Sequence, residues 1–158
     1  MSKIVEVTNE DMFADYLLPD VLYGVTTNGS IKNNGDAVMG RGTALAAAQL
    51  QPNLPKLLGD HLVVIGNRPT YLYGNIFTLP VKHRWNEPAD PILIRRSIQY
   101  TANLLRYYDW QGIVFIPRPG CGNGGLHWTD LRGMVTDLIA ATWEVKEVGI
   151  FGYDDPVS

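Results

Sequence analysis

Ile113-Val114-Phe115-Ile116-Pro117-Arg118-Pro119-Gly120-Cys121-Gly122-Asn123-Gly124-Gly125-Leu126 joins a short β-branched and aromatic run to a loop with glycine at 120, 122, 124 and 125. Beyond it, at about Thr129–Trp143, Leu131, Met134, Val135, Leu138 and Ala141 or Thr142 repeat on one helical face. Apolar run, glycine loop, amphipathic helix: this is the grammar of a strand-to-helix unit in an α/β domain. Ligands of open α/β sheets bind in crevices outside the carboxyl ends of the strands. Glycine-rich loops there let backbone amides cradle phosphates, assisted by the positive end of the next helix.

A second loop repeats the pattern. Leu22–Thr26 reads as a strand, and Thr43–Leu50 as an alanine-rich helix stopped before Pro52. Between them, Thr26 to Thr43 includes Gly29, Gly35, Gly40 and Gly42. With Gly24 at its entry, the two loops hold nine of the chain's 16 glycines, so ligand binding explains that placement better than turn formation alone. Gly120-x-Gly122-x-x-Gly125 matches the dinucleotide fingerprint in letters. Only one strand candidate follows it, and no acidic residue ends a second strand where that fingerprint needs one. The context argues against a standard NAD(P) dehydrogenase.

Further strands are expected at Ile4–Val7, Leu62–Ile65, Tyr71–Leu79 and Val148–Gly152. A helix is expected at Glu10–Leu18, after the potential caps Thr8 and Asn9. Another follows Asp90-Pro91, an N-cap with proline at the first helical position, and its stripe is Ile94, Ile98, Thr101, Leu105 and Tyr108. Alternating strands and helices predict a layered α/β fold with a largely parallel or mixed sheet.

The 158 residues suit one domain spanning 1–158, with no repeat or linker. A net charge of −3 argues against attachment to nucleic acid mainly by phosphate neutralisation, while leaving recognition of one modified nucleotide open. The lone Cys121 forms no internal disulfide and points to a reducing, cytoplasmic setting. His61, His83, His127 and Cys121 show no metal-ligand spacing. Neither a signal-peptide core nor an apolar run near ~18 residues is present, so no membrane partner is expected.

Three stretches together resemble the macro domain family: Val38-Met39-Gly40-Arg41-Gly42-Thr43-Ala44, Leu79-Pro80-Val81-Lys82-His83-Arg84-Trp85, and Ile116 through Trp128 around the glycine loop. The similarity is to the DarG-type branch, which contains DNA ADP-ribosyl-glycohydrolase antitoxins, and to hydrolases that remove terminal ADP-ribose from glutamate. It covers essentially the whole chain. It implies a three-layer fold with a mixed six-stranded sheet flanked by helices, and ADP-ribose in a cleft at the C-terminal edge of the sheet.

Residue by residue, the resemblance implies the following. Asp11, with Met12 beside it, matches the acid that accepts from the adenine amino group, although Asn9 and Glu10 replace the usual preceding residues; the other reading of Asp11 is an acid stabilising the first turn of a helix. Asn28 matches the asparagine near the distal ribose, or is a turn residue. Met39, Gly40, Arg41, Gly42 and Thr43 match the loop around the distal ribose and phosphates. Pro117 and the run Gly120, Cys121, Gly122, Asn123, Gly124, Gly125 and Leu126 match the diphosphate loop. Tyr153 matches the aromatic that stacks on adenine, or is an ordinary tyrosine.

Lys82 matches the lysine that acts covalently at the anomeric carbon of the distal ribose; an amine of depressed pKa can attack a sugar C1. The other reading is a solvated lysine in a basic turn, since His83 and Arg84 follow it. Cys121 has no neighbouring base and fits better as a small packing residue.

Two departures stand out. Glutamate-directed hydrolases carry an acid where this chain has Gly124, and the DarG-type pattern lacks it too. The first loop is also lengthened by Ile31–Asp36, which separates Asn28 from Met39.

The function expected is ADP-ribosyl hydrolysis by a monomer without cofactor or metal, on an ADP-ribosylated macromolecule (DNA or protein), in the context of an ADP-ribosylating toxin. The alternatives are a non-catalytic module that binds ADP-ribose or a related nucleotide, and a phosphatase for ADP-ribose 1″-phosphate.

Overall fold

A computed structural model describes residues 2–14, 16 and 18–154. In chain order the elements are β1 (Lys3–Thr8), β2 (Val21–Asn28), α1 (Gly42–Leu50), α2 (Leu54–Ile65), β3 (Tyr71–Tyr73), β4 (Ile76–Lys82), α3 (Pro91–Tyr107), β5 (Ile113–Pro117), α4 (Trp128–Thr142) and β6 (Glu147–Gly152). The sheet runs β1-β6-β5-β2-β4-β3. All neighbours are parallel except β3, which pairs antiparallel with β4. The mixed six-stranded sheet between helices is therefore present.

Its two faces carry separate cores. Val114, Ile116, Val148 and Ile150 pack against Ile94, Ile98 and Leu105 of α3 and Leu131, Val135 and Ile139 of α4. On the other face, Val21, Tyr23 and Val25 pack against Ala44 and Ala47 of α1 and Leu54, Leu58 and Leu62 of α2. Each large aliphatic side chain removed from water contributes roughly 1.5–3 kcal/mol, so these layers hold the strand ends, and the loops between them, in place.

Asp90 caps α3 as its sequence promises, accepting from Ile92 N at 2.9 Å. Ile94, Ile98, Thr101 and Leu105 are buried, whereas Tyr108 lies just past the helix and is exposed. On α4 the buried stripe is Leu131, Val135 and Ile139, with Met134 and Leu138 at its margin.

Three expectations are corrected. Leu62–Ile65 is not a strand but the last turn of α2. Leu62 continues the buried helical spacing of Leu54 and Leu58, and a proline stands in the first turn, so register overrides the β-branched propensity of exposed Val63 and Val64. Tyr71–Leu79 is two strands, because Gly74 turns the chain with φ +60°. Glu10–Leu18 is not a helix: its described residues form turns, and Asp15 and Leu17 lie outside the described residues. Asn9 adopts φ +62°, and the Asp11 carboxylate accepts from Phe13 N at 2.9 Å. Such a local side-chain bond competes with helix formation. No helix among the described residues is long and apolar enough to cross a membrane.

Candidate functional site

Both glycine loops leave the C-terminal ends of adjacent parallel strands, β2 and β5, and so open on one sheet edge. The strand order then sets out the expected residues in a line. Asp11 follows β1; Tyr153 follows β6; Gly120–Leu126 follows β5; Met39–Thr43 lies beyond β2; Lys82 ends β4. Strand spacing of ~4.8 Å makes the four steps from β1 to β4 about 19 Å.

At the β1 and β6 end, Asn9 N donates to Gly152 O at 2.8 Å, and Asp154 N donates to Asn9 Oδ1 at 3.1 Å. Arg118 crosses this end: Nη1 donates to Tyr153 O at 3.3 Å, and Nη2 lies 3.5 Å from Asp154 Oδ1. Its guanidinium also sits 5.7 Å from the Trp128 ring centroid. These bonds fix the backbone of Tyr153, whose side chain is exposed. One oxygen of Asp11 is engaged by Phe13 N, while Met12 is buried in the core, so the Met12 side chain serves packing.

The loop after β5 coils through a 3-10 turn at Gly122–Gly124. Gly120, Gly122 and Gly125 have φ of +77°, +72° and +78°. At Gly120 the requirement is double, because a β-carbon there would also fall 2.7 Å from Ile94 Cδ1. Ala89 N donates to Gly124 O at 2.9 Å, which seats the loop against the start of α3. Cys121 is half buried, and burial pushes its thiol pKa up. A raised pKa keeps the thiol protonated, which suits packing and not nucleophilic attack.

The two loops approach each other where Asn123 Nδ2 would lie 3.3 Å from a β-carbon on Gly42. Gly40, Arg41 and Gly42 are exposed there, and Arg41 precedes α1 without a side-chain cap for its first amides. Met39 is buried. Thr43 Oγ1 lies 2.9 Å from Thr26 Oγ1 and ties the start of α1 to β2.

At the β2 and β4 end, Asn28 pairs with Lys82 across a register shift, so the last residues of the two strands are neighbours. The Asn28 amide is built into the loop: Nδ2 donates to Val38 O at 3.1 Å, and Oδ1 accepts from Ser30 N at 2.9 Å. Lys82 Nζ donates to Trp85 O at 3.4 Å, and no carboxylate forms an ion pair with it among the described residues. The backbone of Lys82 is held by Asn67, whose Nδ2 donates to Lys82 O at 2.8 Å. His83 Nε2 sits 2.8 Å from Asp90 Oδ2, and this contact leads the causes that lower the Asp90 pKa, followed by the Ile92 amide.

The Ile31–Asp36 stretch is a hairpin standing on α2. Ile31 bridges Ala37; Val38 N donates to Ser30 O at 3.1 Å; Lys32 N donates to Asp36 O at 2.7 Å. Ala37 N donates to Pro55 O at 2.8 Å and anchors the hairpin to the helix. Gly59 permits that seat, since a β-carbon on it would fall 1.9 Å from Gly35 O.

Sequence reasoning missed Ser30, Asn67, Asp90 as the partner of His83, and Arg118 as the strap at Tyr153. Asp90 was legible only as a cap. The partners of Ser30 and Asn67 are distant in sequence, and their letters carry no signal of it.

No family model matches this chain, and no curated protein does. Among solved structures it is similar to the macrodomain of Thermus aquaticus DarG, at 20% identity and a TM-score of 0.76 over 96% of this chain and 99% of that one. The macrodomain of Mycobacterium tuberculosis DarG matches at 22% identity and a TM-score of 0.73, covering 95% and 98% of the two chains. Thermosipho africanus DarTG, solved in complex with ADP-ribose, matches at 15% identity and a TM-score of 0.76 over all of this chain and 44% of that one. The fold of this chain is the macro-domain fold.

Proposed function

We propose that residues 1–158 form one macro domain that binds ADP-ribose along the C-terminal sheet edge and hydrolyses ADP-ribosyl linkages on a macromolecule, DNA bases included. The observation that carries the reading is the linear order of the site. Asp11 and Tyr153 stand at one end, the two glycine loops in the middle, and Lys82 at the other end, about 19 Å away by strand spacing. That order suits a nucleoside, a diphosphate and a second sugar laid end to end. A neighbouring fold, Thermosipho africanus DarTG, was solved with ADP-ribose.

In this reading Tyr153 and Asp11 take the adenine, and the diphosphate is taken by the amides of Gly40–Thr43 and by those of the Gly120–Leu126 loop other than Cys121, Gly125 and Leu126, which donate to the carbonyls of Arg118, Gly122 and Gly120. The distal ribose C1″ comes to Lys82. Nζ, giving up a proton to solvent, forms a bond to C1″ as the C1″–acceptor bond breaks, and the acceptor leaves with the electron pair and is protonated from solvent. Water then displaces the lysine from C1″. Asn67, through the Lys82 carbonyl, and Trp85, through its own carbonyl, position the amine.

The glycine at 124 supports a second reading, a module that binds ADP-ribose without cleaving it, because no acid stands in that loop to assist a lysine. Lys82→Ala separates the two. The hydrolase reading expects loss of ADP-ribose release by at least ~100-fold with ADP-ribose affinity within a few-fold of the parent. A parent protein that binds ADP-ribose yet releases none from ADP-ribosylated oligonucleotide or glutamyl peptide supports the module. Phosphate release from ADP-ribose 1″-phosphate marks the phosphatase.

A further inference from the structure

On the side away from β1, the sheet ends in β3, whose outer side pairs with no strand among the described residues. Leu72 is buried in the core shared with α2, so alternation turns Tyr71 and Tyr73 to the opposite face, the α3 side. There the Tyr71 ring centroid lies 5.5 Å from that of Tyr108, and the Tyr108 centroid 5.0 Å from that of Tyr107. Tyr100 precedes Tyr107 by two helical turns on α3 and shares its face. All five tyrosines are exposed, Tyr107 by 81%. On α2, the helix that packs on β3, Val63 and Val64 of the last turn are exposed by 74% and 80%. These seven are nearly half of the fifteen large hydrophobic residues exposed among the described residues, so the exposed apolar surface is concentrated around one strand. Surface hydrophobics scattered singly need no explanation, whereas a contiguous patch marks an interaction site.

The patch is held in shape without a partner. Tyr71 Oη donates to Gly74 O, and the ring contacts fix Tyr108 between Tyr71 and Tyr107. Little ordering entropy is then lost on association. The charges nearby balance. Within three residues of these side chains in the sequence, Arg68 and Arg106 stand against Asp60 and Asp109. Such a surface selects no strongly charged partner and does not repel its own copy.

We infer that the β3 edge is the contact between two copies of this chain, related by a two-fold axis beside β3. Closed two-fold pairing is the commonest form of association, and it sets one surface against itself. Of the devices that blunt an edge strand, charge and proline are missing from Tyr71-Leu72-Tyr73, and only its three-residue length and one register shift against β4 remain. So short a strand adds few backbone bonds, and the tyrosines carry the contact. At ~200 Å² per side chain the five leave on the order of 500 Å² in water. With the valines the edge approaches the roughly 800 Å² per partner of a standard interface. Tyrosine is also enriched in interface cores. The glycine loops and Lys82 open on the strand ends and not on this edge, so both sites stay accessible in the pair. On this proposal the chain is a dimer, where the sequence reading expects a monomer.

The test is the mass of the full chain by sedimentation equilibrium at about 100 µM, above the micromolar limit for interfaces of standard size. The parent is expected at 35.2 kDa, twice the 17.6 kDa of one chain. Tyr107→Ala weakens the dimer by at least ~10-fold, since the residue is lost from both sides. Tyr73→Lys combined with Tyr107→Ala gives 17.6 kDa. Ile92→Ser, at an exposed position on the first turn of α3 and about 22 Å from Tyr107 along the helix, leaves the dimer intact.

Hydrogen exchange of the parent decides the matter without a variant. Amides of Tyr71–Gly74 and Tyr107–Asp109 are expected to exchange faster on dilution from 100 µM to about 1 µM, with those of β5 and β6 unchanged. A parent of 17.6 kDa at 100 µM overturns the proposal and leaves the edge to a different protein. A dimer that survives the double substitution overturns it as well, as does exchange at Tyr71–Gly74 that ignores dilution while the parent is a dimer.

Discussion

Gly59→Ala tests the hairpin seat, because two opposite effects meet at one atom. In an α-helix interior, alanine is favoured over glycine by about 1 kcal/mol. A β-carbon at residue 59, however, falls 1.9 Å from Gly35 O, 3.0 Å from Gly35 C and 3.1 Å from Ala37 N. Real β-carbons do not approach backbone atoms closer than about 3.0 Å, so the hairpin must recede by at least 1.1 Å (3.0 minus 1.9). That movement breaks or stretches the 2.8 Å bond from Ala37 N to Pro55 O, which contributes on the order of 1 kcal/mol. Overpacking of a tight contact costs a further ~1–3 kcal/mol. The net expectation is destabilisation by about 1–3 kcal/mol, read as a lower urea midpoint at unchanged m. Hydrogen exchange at Ala37 should accelerate in the same variant. A protein stabilised by about 1 kcal/mol, with Ala37 protected as before, would refute the seat and leave helix propensity as the whole effect.

Other expectations concern single contacts. Glu6 accepts from Trp128 Nε1 at 2.9 Å and pairs with Arg132 at 2.6 Å, joining β1 to α4, and the Arg132 hydrogen bond leads the causes that lower its pKa from 4.5. A lowered folded-state pKa gives stability that is present above 4.5 and is lost as pH falls through the folded value. Glu6→Gln should therefore lose about 0.5–1 kcal/mol at pH 7, less at high salt, and the gap to the parent should close in acid; a gap constant with pH contradicts the pairing. Cys121 should react with iodoacetamide at pH 7.5 more slowly than a free thiol, since burial raises its pKa, and a rate above the free thiol's would place it among activated cysteines.

The parts of the fold legible in the sequence were those with local causes. Asp90-Pro91 starts α3 by capping chemistry that needs no distant partner, and the glycines at 120, 122 and 125 announce a backbone that other residues avoid. That the two glycine loops follow apolar strand runs was also readable, but the order of the site residues along the edge was not, because the strand order β1-β6-β5-β2-β4-β3 is not the chain order. Leu62–Ile65 misled because a short apolar run fits either a strand or a buried helix end, and the four-residue spacing back through Leu58 to Leu54 lies outside the run. Glu10–Leu18 misled because Asp11 looks the same whether it starts a helix or closes a turn on Phe13. The contact between the hairpin and the turn after β4 was hidden for a different reason: it is made by residues 30–38 and 83–85 meeting across the sheet edge, joined by a bond from Trp85 N to Ser30. The insertion was visible in the sequence, but its fold and its seat on Gly59 were not.

The central claim is that ADP-ribose lies along the C-terminal edge with Lys82 at its distal ribose. Titration of the isotope-labelled chain with ADP-ribose, followed by amide chemical shifts, tests it most directly. Saturable shifts at Asp11–Phe13, Asn28, Met39–Thr43, Lys82, Gly120–Leu126 and Tyr153 are the predicted result. No saturable shift, or shifts confined to the β3 edge and the C-terminal end of α3, would contradict it.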